Sequence, residues 1–171
     1  MLYKERCRMN IREATYNDIP ELMRLFSSAR DYMRKNGNMI QWINGYPSEE
    51  LIRSEIENKH CYICIEGEKS IGTFCFIIGN DPTYNYIDGG NWINEHPYAV
   101  VHRLASDGSY PGVAKSSLDW CFNRCNNIRI DTHEVNSKMQ NLLIDYGFKR
   151  CGIIYVADGT PRVAFQKETD I

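Results

Sequence analysis

Apolar residues recur at helical spacing near the start of the chain, in the segment NDIPELMRLFSSARDYMRKNG. Its leucine, phenylalanine, alanine and methionine residues lie three or four positions apart, which places them on one face of a helix. Asp18 and Glu21 have the spacing of a capping box, Pro20 suits a first turn, and Gly37 suits a helix end. We therefore predict an amphipathic helix capped by Asp18. A second helix is predicted for PSEELIRSEIENK, and a short strand, MNIREAT, precedes both.

The middle and the end of the chain alternate between strand and helix patterns. HCYICIEG and SIGTFCFIIG are joined by the turn-like EGEKS, which predicts an antiparallel hairpin. YAVVHRLAS and IRIDTHEV are predicted strands, each followed by a helix, VAKSSLDWCFNRC and SKMQNLLIDYG. GIIYV and PRVAFQK form a last predicted hairpin around ADGT. This order indicates an α+β fold with α/β/α layers, in which about four helices cover a mixed, mostly antiparallel sheet of about six to seven strands.

Composition and charge narrow the class of protein. The chain has 171 residues, 43% hydrophobic and 25% charged, which fits one domain across residues 1–171 with a folded core at about 8–168. A formal net charge of −2 provides no basic field, so nucleic acid is disfavoured as a partner. The start, MLYKERCRMN, lacks the apolar region of a secretory signal, and no later segment has the pattern of a membrane span. We expect a cytoplasmic protein with no membrane partner.

The cysteines are seven in number, and an odd count in a chain without an export signal indicates reduced thiols. Cys61 and Cys64 have CxxC spacing, but strand alternation points side chains three apart to opposite faces, and no second CxxC is present. Cys121 and Cys125 are four apart on a predicted helix, where core packing is the favoured role. We predict no metal site.

The stretch SYPGVAKSS lies between a predicted strand and a predicted helix. A helix N-terminus presents unpaired N–H groups and the positive end of the helix dipole, so a phosphate can bind there. Gly112, Ala114, Ser116 and Ser117 are small enough for a close approach, and Lys115 adds a positive charge. By itself the stretch is equally compatible with a tight turn followed by a serine helix cap.

Three segments together resemble the GNAT superfamily of N-acetyltransferases, whose members transfer an acetyl group from acetyl-CoA to an amine. IREATYNDIPELMRLF is similar to the opening strand and helix of that family, and VVHRLASDGSYPGVAKSS resembles its fourth strand and pyrophosphate loop. NSKMQNLLIDYGF, from Asn136 to Gly147 and Phe148, matches its fifth-strand asparagine, next helix and closing Gly-Phe. The resemblance spans nearly the whole chain.

The pyrophosphate loop of the family commonly reads Gln or Arg, two residues, Gly, one residue, then Gly or Ala. One alignment puts Ser109 in the first place, with Gly112 and Ala114 as the small residues. A second puts Pro111 first, with Ala114 and Ser116 as the small residues, and it is preferred because it preserves the length from strand to helix. Pro111 then departs from the family, since proline offers neither a polar side chain nor an N–H.

The resemblance implies an acetyl-CoA-dependent N-acetyltransferase that acts on a primary amine of a small molecule or peptide, with acetyl-CoA as cosubstrate and no metal. It also implies that the fourth-strand backbone, the pyrophosphate loop and the fifth-strand asparagine contact CoA. These implied cofactor contacts are Leu104, Ala105, Ser106, Gly112, Val113, Ala114, Lys115, Ser116, Ser117 and Asn136.

Two histidines are candidates for the base that takes the proton of the amine. His102 lies on the predicted fourth strand and His133 near the end of the fifth, and both side chains titrate near neutral pH. Asp131 and Glu134 flank His133, and a carboxylate can orient an imidazole or raise its pKa. Each histidine is also compatible with an ordinary strand position.

The acceptor is expected to lie opposite the CoA arm, over the first helices and the loop TYNYIDGGNWINEHPY, a polar segment that is long for a connection. Its aromatic residues form a candidate wall for a protonated amine, and they are equally compatible with packing the loop onto the sheet. The candidate substrate-binding residues are Tyr84, Tyr86, Trp92 and Tyr98.

Alternative functions follow from departures from the family pattern. Members often carry a tyrosine four residues before the closing glycine as proton donor to the thiolate, and that position is Leu143 here. Tyr146 has the helical spacing of a core residue. The alternative is a catalytically weak GNAT-fold module that binds CoA or a protein partner. A different nucleotide-binding protein is disfavoured, because no complete GxGxxG or GxxxxGK[ST] motif occurs. By resemblance a homodimer is also plausible.

Overall fold

The computed structural model describes residues 9–170. In that range, seven strands and four α-helices follow one another in the predicted order. The strands are β1 (Asn10–Glu13), β2 (Cys61–Glu66), β3 (Lys69–Ile78), β4 (Ala99–Ser106), β5 (Asn127–Thr132), β6 (Lys149–Tyr155) and β7 (Pro161–Glu168). The helices are α1 (Ile19–Lys35), α2 (Glu49–Glu57), α3 (Val113–Phe122) and α4 (Ser137–Tyr146), with short 3₁₀ turns at Tyr16–Asp18 and Pro82–Tyr84.

The strands form one sheet in the order β1-β2-β3-β4-β5-β7-β6. Neighbouring strands are antiparallel except β4 and β5, which are parallel. The predicted α+β class, the mostly antiparallel sheet and both predicted hairpins, β2–β3 and β6–β7, are confirmed. Helices α1 and α2 pack on one face of the sheet and α3 and α4 on the other.

Alternation along the strands separates the hydrophobic core into clusters on the two faces. Cys61 packs with α1 and α2, whereas Cys64 packs with α3 and α4, as the strand pattern predicted. The six cysteines between residues 9 and 170 are free. In the same range, no group of three or more His, Cys, Asp or Glu side chains is arranged to hold a metal ion. Nor does any helix described here have the length and apolarity to cross a membrane.

The start of α1 differs from the predicted capping box at Asp18 and Glu21, and that prediction is wrong. A 3₁₀ turn precedes the helix, so the box lies three residues earlier: the Thr15 N–H donates to the Asp18 carboxylate at 2.7 Å. Asp18 also accepts from Arg12 at 2.8 Å, and this guanidinium lowers the pKa of Asp18 to about 2. Glu21 pairs instead with Arg24 on the helix surface.

Strand β4 contains a bulge where it passes the middle of β3. Thr73 pairs with Ala105 and Cys75 with His102, so three steps along β4 oppose two steps along β3. Arg103 accommodates the extra step with φ of 54°, in the left-handed region. Residues four apart share a face in a regular strand. Here Ala105 packs toward α1 and α2, while the residue four positions earlier packs toward α3 and α4.

The parallel strands β4 and β5 pair over a short length. The pairing is limited to Ala99 with Ile128 and Val100 with Arg129. Beyond these pairs both strands continue without hydrogen bonds to each other, which leaves an opening in the sheet. The opening faces the first turns of α3 and α4.

The long loop between β3 and β4 packs on the sheet through its aromatic residues. Tyr84, Trp92 and Tyr98 are 1%, 8% and 8% exposed. The guanidinium carbon of buried Arg129 lies 4.1 Å from the Trp92 ring centre and 4.0 Å from that of Tyr98, so it joins the loop to β5. Of the four predicted wall residues, Tyr86 is exposed, at 65%. The predicted aromatic wall is therefore corrected: three of its four residues are buried against the sheet, and Tyr86 alone of the four is exposed.

Candidate active site

A cleft of ≈440 Å³ opens where β4 and β5 stop pairing. Its walls are the end of β4, the loop after it, the first turns of α3 and α4, and one side of α1. The strand contributes Leu104, Ala105 and Ser106. Because β5 no longer pairs with this part of β4, backbone groups along that edge of the strand are available to a ligand.

The start of α3 forms one end of the cleft. Gly112 has φ of 77° and directly precedes the helix. The first intrahelical bond runs from the Ser116 N–H to the Gly112 carbonyl at 3.0 Å. The N–H groups of Val113, Ala114 and Lys115 therefore have no acceptor within the helix, and these residues line the cleft. This end of the cleft has the chemistry of an anion site.

Gly72 of β3 allows the start of α3 to lie close to the sheet. A Cβ atom at this position would lie 2.5 Å from the Val113 Cγ1 atom and 3.1 Å from the Ala105 carbonyl oxygen. The absence of a side chain thus brings the helix N-terminus beside the end of β4, where both contribute to one cleft.

Helices α1 and α4 border the cleft on its other side. The Lys138 Nζ lies 4.1 Å from the ring centre of Tyr32, which links the two helices. Asn136 caps α4 by accepting from the Met139 N–H at 3.1 Å, and its Nδ2 donates to buried Gln41 at 3.0 Å. The loop after α1 is therefore hydrogen-bonded to the residue that begins α4.

His102 precedes the cleft-lining part of β4 by two residues and belongs to a group of four ionisable side chains. Its Nε2 lies 2.9 Å from the Asp81 Oδ2, and its Nδ1 lies 3.9 Å from the Asp131 Oδ2. The Tyr84 hydroxyl donates to the same Asp131 oxygen at 2.7 Å. We call Asp81, Tyr84, His102 and Asp131 the acid–histidine cluster. It joins β4, β5 and the long loop between β3 and β4.

Burial and the polar contacts of the cluster act in opposite directions on the pKa values of His102 and Asp81. Burial disfavours the imidazolium form of His102, but the hydrogen bond to Asp81 and the charge of Asp131 outweigh it and raise the pKa of His102 above 6.5. Burial also disfavours the ionised form of Asp81, yet hydrogen bonds from His102 and Thr83 lower the pKa of Asp81 to about 2. Burial and the charge of Asp131 raise the pKa of Tyr84. At neutral pH Asp81 is therefore ionised and Tyr84 neutral.

Solved structures with the same architecture decide the family. A GNAT-family acetyltransferase from Streptococcus agalactiae 2603 is 31% identical to this chain, with a TM-score of 0.86 over 95% of this chain and 96% of that one. The chain belongs to the GNAT family of acetyltransferases. The predicted family and fold are thus confirmed, and as a GNAT protein the chain is an acyltransferase.

More distant GNAT structures share the fold. A GNAT-family acetyltransferase from Listeria monocytogenes 4b F2365 is 17% identical, with a TM-score of 0.70 over 94% of this chain and 95% of that one. Another, from Bacillus cereus ATCC 10987, is 18% identical, with a TM-score of 0.62 over 96% and 99%. No protein-family model and no curated protein sequence matches the chain.

Two of the predicted cofactor contacts lie away from the GNAT cleft. Ser117 is fully buried, and its hydroxyl donates to the Val113 carbonyl at 2.8 Å. Ser116 borders a separate, smaller cavity beside Trp120. Helical rotation explains both, since these residues follow the first turn and point away from the opening. The predicted contacts that line the cleft are Leu104, Ala105, Ser106, Gly112, Val113, Ala114, Lys115 and Asn136.

The GNAT loop pattern fits the cleft when Gly112 and Ala114 are its small residues. Both line the cleft, whereas Ser116 does not. The structure therefore favours the alignment that strand-to-helix length had disfavoured, with Ser109 in the Gln or Arg place. Pro111 is then one of the two variable residues of the pattern, so its missing N–H is no departure from the family.

His133 lies outside both the cleft lining and the acid–histidine cluster. Its Nδ1 accepts from the Val135 N–H at 3.3 Å, which steadies the turn between β5 and α4. Burial lowers the pKa of His133, and the charge of Arg162 acts in the same direction. Asp131, which was predicted to flank His133, faces His102 instead. The structure thus separates the two predicted bases.

Neither candidate position for a proton-donating tyrosine on the last helix presents a hydroxyl to the cleft. Leu143, at the position where GNAT proteins often carry a tyrosine, is fully buried in the core. Tyr146 packs against the same core, as predicted, and stacks on Phe122. Its hydroxyl donates to Asp119 at 2.7 Å. Neither residue lines the cleft.

Sequence reasoning missed several residues at the site, chief among them Asp81, Gln41, Tyr32 and Lys138. Asp81 carries a local signal, because an aspartate before Pro-Thr caps a short turn, and its carboxylate accepts from the Thr83 N–H at 2.9 Å. Nothing in the pattern indicates that this turn lies beside β4. For the other three, contact depends on how the helices pack.

Proposed function

We propose that this chain is an acetyl-CoA-dependent N-acetyltransferase, which transfers the acetyl group to a primary amine of a small molecule or peptide. The cleft at the end of β4 is the observation that carries the proposal. The free N–H groups of Val113, Ala114 and Lys115 suit a pyrophosphate. The unpaired edge of β4 at residues 104–106 suits an amide-containing arm, which can add to a strand edge through backbone hydrogen bonds.

The residues present fit acetyl-CoA in size and charge. Gly112 and Ala114 leave the helix N–H groups uncovered, Lys115 adds a positive charge, and Asn136 lines the opposite wall. When bound, acetyl-CoA supplies the acetyl group as an activated thioester.

The residues of the chain then have separate tasks. His102 accepts the proton of the attacking amine. Backbone N–H groups at the end of β4 donate to the thioester carbonyl oxygen as negative charge develops on it. Water supplies a proton to the departing sulfur, because Leu143 offers no hydroxyl and a thiolate leaves readily near neutral pH.

A catalytically weak GNAT-fold module, which binds CoA or a protein partner, is the second candidate function. Buried Leu143 favours it, because the position where GNAT proteins often carry a proton-donating tyrosine has no hydroxyl here. Pro111 no longer supports it, given the alignment above.

Calorimetric titration with acetyl-CoA, followed by thiol-release assays over a panel of amines, tests the proposal. We expect saturable binding and amine-dependent release of free thiol. Binding without transfer to any amine would leave the second candidate, and the absence of binding would overturn the enzyme proposal and the CoA-binding form of the second candidate.

Three further expectations stay predictions: a single GNAT domain, a cytoplasmic location and a homodimer. The mass of the chain in solution, measured by light scattering, tests the last.

A further inference from the structure

The acid–histidine cluster contains two facing atoms that one nitrogen atom can bridge, and we call the space beside this pair the gap. The His102 Nδ1 and the Asp131 Oδ2 are 3.9 Å apart, which is too far for a hydrogen bond between them. A nitrogen atom placed about 2 Å to one side of the line that joins them lies at about 2.8 Å from both. The two side chains are 23% and 12% exposed, so neither is fully enclosed by the core.

Both sides of the gap are held in position by other residues. The Asp81 carboxylate lies 2.9 Å from the His102 Nε2, which keeps the proton of the neutral imidazole on Nε2 and leaves Nδ1 as an acceptor. The Tyr84 hydroxyl holds Asp131 at 2.7 Å, and Tyr84 is itself held by the Trp92 Nε1, which donates to its carbonyl at 2.9 Å. The gap is therefore a prearranged feature rather than a chance separation of two mobile side chains.

The charges around the gap favour a cation. Asp81 and Asp131 contribute two carboxylates against one imidazole, so the cluster stays negative even when His102 is protonated. The nearest cation on the same strand is Arg103, which donates to Glu55 at 3.2 Å and to the Tyr46 hydroxyl at 2.9 Å. Its charge is thus offset by Glu55. A carboxylate brought next to the gap would meet two like charges.

The gap also lies close to where acetyl transfer is proposed. His102 and Asp131 are on adjacent strands just beyond the last β4–β5 pair, Val100 with Arg129. The cleft-lining part of β4 begins two residues after His102, at Leu104. An amine held in the gap is therefore next to the opening through which the thioester would be reached.

We infer that His102 and Asp131 bind the acceptor amine between them, and that the acceptor is a primary amine with no carboxylate on the adjacent carbon. The inference rests on the proposed function. Asp131 accepts a hydrogen bond from the ammonium group, and the His102 Nδ1 takes one of its protons. The freed lone pair forms the C–N bond as the C–S bond breaks, the electron pair of that bond leaves with sulfur, and a second amine proton is lost to solvent to give the amide.

Pairs of amines that differ by the α-carboxylate test the acceptor class in the unmodified protein. Pentylamine is compared with norleucine, and agmatine with arginine, by thiol release at saturating acetyl-CoA. We expect kcat/KM to be at least about 10-fold higher for the amine without the carboxylate in each pair. Equal or better turnover of the amino acids, or no turnover of any of the four by protein that binds acetyl-CoA, would overturn the inference.

Asp131→Asn tests the role of the carboxylate, with Asp145→Asn, an exposed aspartate on α4, as the control of equal charge change. Asparagine retains an acceptor for the Tyr84 hydroxyl. We expect KM for pentylamine to rise about 10-fold or more in Asp131→Asn, because a charge-assisted hydrogen bond is lost. The acid limb of the kcat/KM profile should also move to lower pH, since the charge of Asp131 raises the pKa of His102.

The outcomes separate this inference from the function on which it rests. If Asp131→Asn and Asp145→Asn share the same KM and pH profile, the gap does not bind the amine, although the N-acetyltransferase proposal still holds. If the unmodified protein fails to bind acetyl-CoA, the proposed function itself is wrong. Calorimetry with acetyl-CoA on both variants should give unchanged affinity, which shows that the cleft remains folded.

Discussion

On one side of the point where β4 and β5 separate, the cleft is lined by backbone N–H groups and small residues. On the other side, the acid–histidine cluster consists of four side chains from three segments, and their charges depend on one another. The cleft requires that α3 begin at Val113 and that nothing bulky stand at residues 112 and 114. The cluster requires particular atoms at particular distances. We therefore expect bulky substitutions in the cleft to prevent cofactor binding. In the cluster, the loss of a single side-chain group should be enough to prevent catalysis.

The largest effect is expected for His102→Gln. This change removes the proposed proton acceptor and leaves the cleft lining intact, so kcat/KM should fall about 1000-fold at neutral pH. Acetyl-CoA affinity, measured by calorimetry, should stay the same. A fall of less than about 10-fold would mean that another group or water takes the proton.

Bulk at the start of α3 should affect the cleft alone. In Ala114→Trp the indole would cover the helix N–H groups, and we expect acetyl-CoA to bind about 100-fold more weakly, or about 2.8 kcal/mol. Ser116→Trp is the matched control, because Ser116 is exposed outside the cleft. If Ser116→Trp weakened binding as much as Ala114→Trp, the alignment with Pro111 in the first place would be restored.

The third expected effect concerns the loop that carries Asp81 and Tyr84. Gly90 of this loop lies against the Cys151 carbonyl, and a Cβ atom would overlap that oxygen. We expect Gly90→Ala to lower the free energy of unfolding by about 2 kcal/mol in denaturant titration. Exposed Asn91→Ala should change it by less than about 0.5 kcal/mol. Turnover should fall more than acetyl-CoA affinity; an equal fall in both would contradict the separation of the two regions.

The smallest expected effect is in the pH dependence. Neutral His102 accepts the proton and its pKa is raised, so kcat/KM should fall, by up to about 10-fold per pH unit, as pH decreases through that raised value. Asp81→Asn removes a carboxylate that raises this pKa and should move the acid limb to lower pH. An acid limb that stays in place would show that a different group titrates.

The raised pKa of His102 also makes the stability of the fold depend on pH. Because the pKa of His102 is higher in the folded protein than its ordinary 6.5, the imidazolium stabilises the fold fully below that value. The contribution is lost as pH rises through the raised pKa. From pH 6 upward, the free energy of unfolding of the unmodified protein should therefore decrease through this contribution. His102→Gln has no imidazole and should not show that decrease.

The predictability of the two regions differs for a physical reason. The cleft follows from local patterns, because small residues before a helix and a strand before a turn are neighbours in sequence. Ser117 was nevertheless misplaced, although it follows buried Val113 by four positions and the helical period alone puts both on the inner face.

The cluster depends on contacts between distant segments. Asp81 and His102 are 21 positions apart and meet because the loop between them packs on the sheet. Asp131 was associated with His133, its near neighbour in sequence. The sheet instead places it beside His102, on the adjacent strand. Such pairings depend on strand order and loop packing, which hydrophobic periodicity does not report.

The bulge at Arg103 has a consequence for the two faces of β4. It lets His102 meet Asp131 while Ala105, three positions on, still lines the cleft. In a regular strand, residues three apart point to opposite faces, so without the bulge one of the two would lie on the wrong side of the sheet. The left-handed backbone at Arg103, more than its side chain, therefore keeps the proposed proton acceptor and the cofactor wall on one face.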